Sequence, residues 1–168
     1  MDLRFELLTD EDPAYDRVKD LYEAAFPANE RRPFPELMGG FRGSGEVYAV
    51  YDEDLFVGMI SLLSLRDITH ILYFAVLPEL RDRGYGSGIL TLLGKDRPGQ
   101  RIIADVETPE EDAPNNEERN MRIEFYLRNG YEFTEIAYRW EGEDYRVLSN
   151  GGNVTGKEFG GFWHHYRP

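Results

Sequence analysis

Residues 75–88 read Ala75-Val76-Leu77-Pro78-Glu79-Leu80-Arg81-Asp82-Arg83-Gly84-Tyr85-Gly86-Ser87-Gly88. An apolar run meets a proline, crosses a charged turn and opens into a segment with glycine at every second position. That order predicts a buried strand feeding a helix through a glycine-rich turn. Backward, the strand extends to Ile68 and is apolar on both faces: His70, Leu72, Phe74 and Val76 on one, Ile71, Tyr73, Ala75 and Leu77 on the other. Such a strand belongs in the middle of a sheet covered on both sides. Forward, Ile89, Leu90 and Leu93 recur at helical spacing, with Gly94-Lys95 as the helix end. Glycines at 84, 86 and 88 remove the side chains that would keep a diphosphate from the backbone, a helix start presents free N–H groups, and Arg81 and Arg83 add positive charge. The plainer reading is a tight turn whose glycines only permit left-handed conformations.

On either side the pattern alternates between strand and helix. Leu3, Phe5 and Leu7 alternate with Arg4 and Glu6, a half-buried strand; Asp12-Pro13 opens a helix whose Val18, Leu21, Tyr22, Ala25 and Phe26 share a face before Pro27 stops it. Residues 29–45 read as a mobile connection with a short helix, and 46–51 with 55–65 as an antiparallel hairpin. Further strands fall at 101–107, 131–140 and 144–148. A helix at 116–129 carries Asn115 or Asn116 as cap, Glu117-Glu118 in its first turn and Gly130 as its stop. Antiparallel strands followed by strands alternating with helices give an α/β class with a sheet of mixed direction. No repeat or low-complexity break divides the 168 residues, so the expectation is one domain, 1–168, with its core at 2–148 and a tail at 149–168.

Composition narrows the function. Thirty-two acids against 19 bases leave a net charge of −13, which repels nucleic acid and anionic membrane and favours cationic partners. With no cysteine there are no disulfides, no thiolate nucleophile and no Cys-ligated zinc. The apolar run 59–65 falls far short of the roughly 20 residues that span a bilayer, and residues 1–4 do not open a signal peptide, so a cytoplasmic location is expected. A dinucleotide fingerprint needs glycine at position 89, which is Ile89. A P-loop needs Ser or Thr after Gly94-Lys95, where Asp96 stands.

At this point the sequence resembles the GNAT family of acyl-CoA-dependent N-acetyltransferases. Arg81-x-x-Gly84-x-Gly86 after the strand Tyr73 to Pro78 looks like that family's coenzyme-binding signature. Independently, Arg122-Ile123-x-Phe125-Tyr126-x-x-x-Gly130-Tyr131 is similar to its Phe-Tyr-x-x-x-Gly-Phe segment, with Tyr131 in place of the common Phe. The resemblance covers residues 2 to 148. It implies a mixed, mostly antiparallel sheet with helices on both faces and a splayed central strand. It also implies acetyl-CoA as cosubstrate, its pantetheine arm along Phe74, Ala75, Val76 and Leu77 and its diphosphate on backbone amides of Arg81, Arg83, Gly84, Tyr85, Gly86, Ser87 and Gly88.

Acetyl transfer needs a neutral amine, a polarised thioester carbonyl and a proton for the departing thiolate. The resemblance makes Tyr126 the acid; the alternative is an aromatic packed beside Phe125 and Met121. His70 is the candidate base, by its ordinary pKa range and its place six residues before Val76, or else a hydrogen-bonded core histidine. Glu107 and Asp105 share a face at the end of their strand, where they hold a cationic substrate or relay its proton, or simply face solvent. Glu30-Arg31-Arg32 sits where the family builds its acceptor site and either binds a carboxylate, closes over the coenzyme, or is a solvated charge run. His164-His165 lacks a spaced acidic partner, so no metal is expected; Trp163 and its neighbours read as packing against the sheet or against a second subunit in a homodimer. The function expected is transfer of the acetyl group of acetyl-CoA to a primary amine of a small molecule or peptide. The alternative is a non-catalytic acyl-CoA-binding sensor.

Overall fold

A computed structural model describes residues 1–167. The elements are β1 Leu3–Leu7, α1 Tyr15–Ala25, α2 Glu36–Gly39, β2 Glu46–Asp52, β3 Leu55–Leu65, β4 Ile68–Val76, α3 Tyr85–Asp96, β5 Arg101–Glu107, α4 Asn116–Arg128, β6 Glu132–Trp140, β7 Glu143–Asn150 and α5 Gly156–Tyr166. The strand order is β1-β2-β3-β4-β5-β7-β6, a seven-stranded, mostly antiparallel sheet of the expected α/β class. The chain divides into two compact units, Met1–Ser64 with Ile71–Pro98, and Leu65–His70 with the chain from Gly99 onward; β4 contributes residues to each.

In the first unit β1 runs antiparallel to β2, Leu3 opposite Asp52 and Leu7 opposite Tyr48, and β2 antiparallel to β3. Strand alternation sorts the two faces. Val47, Ala49, Met59 and Ala75 meet Val18, Leu21 and Tyr22 of α1, Leu37 of α2, and Phe34 in one core. Full burial of each larger apolar side chain contributes about 1.5–3 kcal/mol relative to exposure. Tyr48, one residue out of phase, lies on the opposite face with Phe5. There Arg97, which closes α3, donates to the Tyr48 hydroxyl at 3.3 Å and to Glu46 at 3.2 Å, so helices cover both faces of this unit. Gly94 does not end α3: the helix continues to Asp96 because nothing crowds an exposed glycine there, and Arg97 caps the turn instead. The connection 29–45 holds its short helix, α2, but Phe34 and Leu37 are buried, so it is anchored at its middle.

In the second unit β5 pairs with β7, Ala104 opposite Leu148, and β7 with β6, Phe133 opposite Leu148. Asn115 stands at the N-cap of α4, where its carbonyl accepts the Arg119 N–H at 3.0 Å, but no side chain caps the helix. Asn115 accepts from Arg119 Nε at 2.9 Å, and Asn116 from the Glu110 N–H at 2.7 Å, so both side chains fasten the preceding loop. The tail is folded as well. Its histidines and aromatics lie on a helix, α5, started by a capping box in which Thr155 accepts from the Glu158 N–H and Glu158 accepts from that of Thr155, each at 3.1 Å. Arg101 fastens this start. It pairs bidentately with Asp67 at 2.8 and 3.0 Å, and its guanidinium lies 2.6 Å from Glu158. No helix of the described residues is long and apolar enough to cross a membrane.

Candidate active site

The turn after β4 is made almost wholly of backbone. Leu77 donates its N–H to Val57 at 2.9 Å, which prolongs the pairing with β3, and Pro78–Leu80 forms a single 3-10 turn with Leu80 buried. Asp82 (φ 62°) and Gly84 (φ 85°) then take left-handed conformations that reverse the chain into α3. The first helical N–H bond runs from Gly88 to the Gly84 carbonyl at 3.0 Å. The amides of Gly84, Tyr85, Gly86 and Ser87 therefore have no helical acceptor, and no side chain caps them. Four unbonded donors at the positive end of a 12-residue helix are a site for an anion, with Arg81 and Arg83 exposed at its rim.

Two amides expected in this cradle are already bonded, and the side chain of a third residue is engaged elsewhere. The Arg81 amide is already bonded to Pro78 at 3.3 Å, so only its side chain is available. Gly88 uses its amide inside α3 and is a packing glycine: a Cβ there would sit 2.8 Å from Leu3 Cδ1 and 2.9 Å from Met1 Sδ. Tyr85 sends its hydroxyl to Asp52 at 2.7 Å, leaving its amide alone to the cradle. Asp52 also accepts the Asp2 N–H at 2.8 Å. That bond first, and Tyr85 second, holds its carboxyl below the ordinary range. Along β4, Ala75 packs into the α1–α2 core with Tyr73 and Leu77 beside it, while Phe74 and Val76 alternate to the other side.

The titratable candidates lie in the second unit. Tyr126 is buried, 6% exposed, edge-on to Phe125 and to Tyr131. Burial raises its phenol well above 10; the Asp105 charge adds to the rise and Arg122 opposes it. Tyr131 takes the core place of an aromatic ring, but its hydroxyl is buried without a partner. His70 is 1% exposed, with Nε2 2.9 Å from Asp105 Oδ2 and its ring among Phe159, Phe162 and Trp163 of α5. Its other nitrogen, Nδ1, is sealed from solvent and unbonded. Asp105, whose side chain keeps 23% of its exposure, is the outward member of the pair.

Glu107 is not solvent-facing. It is 7% exposed and lies 2.7 Å from Arg119, which is itself 4% exposed and also bonds Thr108, Asn115 and Glu143. Arg122 lies 3.8 Å from its second oxygen, so Glu107 is paired with two arginines of α4. No sequence periodicity marks this network, because Arg119 sits in α4 where an exposed charge is the ordinary case. The bonding of Glu30 and Arg32 is equally non-local: the Tyr73 hydroxyl reaches both backbones, and both arginines are half-buried.

The family model of the acetyltransferase (GNAT) domain matches residues 43–133, more than half of the chain. The chain belongs to the GNAT acetyltransferase family. The matched span holds β4, the amide cradle and Tyr126. A GNAT-family structure from Bacteroides thetaiotaomicron, assigned as an acetyltransferase, is 27% identical with a TM-score of 0.80, covering 96% of this chain and 94% of its own. A GNAT acetyltransferase from Elizabethkingia anophelis with acetyl-CoA bound is 18% identical, TM-score 0.61, covering 89% of this chain and 97% of its own. Arabidopsis thaliana Naa50 in complex with the bisubstrate analogue CoA-Ac-MVNAL is 23% identical, TM-score 0.62, covering 89% and 99%. No curated protein matches the sequence. For this GNAT chain the α5 tail is part of the likeness, since the Bacteroides structure covers nearly its full length.

Proposed function

We propose that this GNAT protein transfers the acetyl group of acetyl-CoA to a primary amine by direct attack. The observation that carries the reading is the uncapped set of amides at Gly84 to Ser87, placed straight after β4. A diphosphate satisfies such donors without needing any particular side chain. The pantetheine arm runs along Phe74 to Leu77, pairing with strand backbone. In the reaction the amine nitrogen bonds to the thioester carbon, the carbon–sulfur bond breaks, and the amine gives up a proton.

Tyr126 faces the sulfur in this reading and acts as a hydrogen-bond donor. Its raised pKa keeps the phenol protonated at every physiological pH. An ordinary thiol titrates near 8.5, so full transfer from Tyr126 to the thiolate runs uphill, and stabilisation comes from the hydrogen bond itself. The amine's proton goes to the His70–Asp105 pair through Asp105, the less buried member, whose Oδ1 has no hydrogen-bond partner. His70 then acts through Asp105, holding its carboxylate in place. Glu107 is left to a supporting role through Arg119.

The test is thiol release from acetyl-CoA with a panel of primary amines, alongside calorimetric titration of acetyl-CoA. Thiol release that depends on the amine, with an acetylated product by mass, is the expected result. Tight binding with no release under any amine would instead make the chain a coenzyme sensor.

A further inference from the structure

The sequence singled out Glu30-Arg31-Arg32, and neither the cradle nor the acid–base groups use it. In the first unit this segment is built into a fixed position. The Tyr73 hydroxyl donates to the Glu30 carbonyl at 2.7 Å and accepts the Arg32 N–H at 3.2 Å; the Tyr22 hydroxyl donates to the Arg32 carbonyl at 2.7 Å. Both tyrosines pack edge-on, ring centroids 4.8 Å apart, so two phenols from α1 and β4 clamp one loop. Burial, and then the bond to Tyr73, drives the Tyr22 phenol far above its usual range, so Tyr22 keeps its proton.

The clamp sets both arginines on a groove of about 200 Å³, walled also by Tyr22, Glu23 and Phe34. At roughly 30 Å³ per water in the liquid, that is room for a small organic group and not for a nucleotide. Arg32 is held over the Phe41 ring at 4.9 Å. Arg31 has only weak company: Glu23 at 3.8 Å and its carbonyl at 3.3 Å, with Nε buried and lacking an acceptor. A buried donor without a partner is costly, and a planar carboxylate is the group whose geometry a guanidinium fork matches. Of the charged residues that line the groove, Arg31 and Arg32 are two, both half-buried, and Glu23 is the third. Tyr73 directly precedes Phe74, so the groove's clamp is one residue from the strand assigned to the coenzyme arm.

We propose that Arg31 and Arg32 form a carboxylate subsite for the acceptor, so that the amine acetylated is a small amino carboxylate. The inference rests on the acetyl-transfer reading and names the substrate class within it. It places recognition of the substrate in a loop that the tyrosines preorganise before binding.

The test uses matched pairs of acceptors: glycine and glycinamide, β-alanine and β-alaninamide, γ-aminobutyrate and its amide. With the intact protein, kcat/KM from thiol release is expected to favour the carboxylate member of at least one pair by tenfold or more. Arg31→Gln and Arg32→Gln should each raise the KM of that member at least tenfold, leaving its amide partner and the acetyl-CoA Kd unchanged. Arg31→Lys should recover part of the loss, since charge returns without the fork. Equal or better use of the amides would overturn the subsite while leaving acetyl transfer standing. So would turnover confined to a carboxylate-free polyamine such as spermidine. A rise in the acetyl-CoA Kd of either variant would also overturn it, by assigning these arginines to coenzyme phosphate. If acetyl-CoA itself fails to bind, the enzymatic reading falls on its own. Titration of N-acetyl-β-alanine into wild-type and Arg31→Gln protein then still tests the groove: saturable binding lost in the variant supports it, and absence of binding to wild type contradicts it.

Discussion

The turn at 81–88 and the end of β5 carry the two halves of the proposed chemistry and are built by opposite means. The turn works through main-chain amides, so its competence depends on where a helix begins and on one left-handed glycine. At the end of β5, each carboxylate takes its role from a distant partner: Asp105 from His70 on β4, Glu107 from Arg119 on α4. A site made of backbone is specified locally, whereas a site made of charges is specified by whatever the fold brings beside it. The contrast predicts that variants at β5 act first on stability, and variants at the turn first on binding.

The largest effect should come from Arg119→Met, which leaves the buried Glu107 carboxylate with only Arg122, 3.8 Å away, as a partner. Loss of about 3–5 kcal/mol in urea unfolding is expected, with much of it recovered by adding Glu107→Leu. A cost below 1 kcal/mol would return Glu107 to the solvent-facing class and erase the contrast. Tyr126→Phe should leave the fold intact and lower kcat on the order of 10²-fold, the usual cost of one preorganised donor at a developing anion. Unchanged kcat would make Tyr126 a packing residue only.

Acid should expose the anchoring of α5. Arg101 first, then the Thr155 N–H, holds the Glu158 carboxyl down to about 2 from 4.5. Its stabilisation is therefore present above pH 4.5 and lost as pH falls from there toward 2. Fluorescence of Trp163 in a Trp140→Phe background should report the change, and Arg101→Gln should flatten it. The smallest effect concerns Tyr131, whose buried hydroxyl has no partner. Tyr131→Phe should be neutral or stabilising by about 1 kcal/mol at unchanged turnover; a clear destabilisation would mean the hydroxyl is bonded.

How much was legible follows the same division. Strands, helices and the β4–α3 turn could be read because alternation, glycine and proline act within a few residues. The role of Gly88 could not, since its crowding comes from Met1 and Leu3 at the other end of the unit. For Glu107 and Asp105 the residue types were visible but not their partners, and for His70 nothing local showed that aromatic rings of α5 surround it. The tail did carry a readable signal, Thr155-x-x-Glu158, but Gly160 and Gly161 argue against a helix locally and tertiary packing of Phe162 and Tyr166 overrides them.

The central claim is that four particular amides receive the coenzyme's diphosphate. Backbone amide shifts followed by NMR while CoA is titrated in test it most directly. Gly84, Tyr85, Gly86 and Ser87 should move together and saturate with one Kd, while Arg81 and Gly88, already bonded, move far less. Saturable binding of CoA that leaves those four amides unmoved would contradict the account.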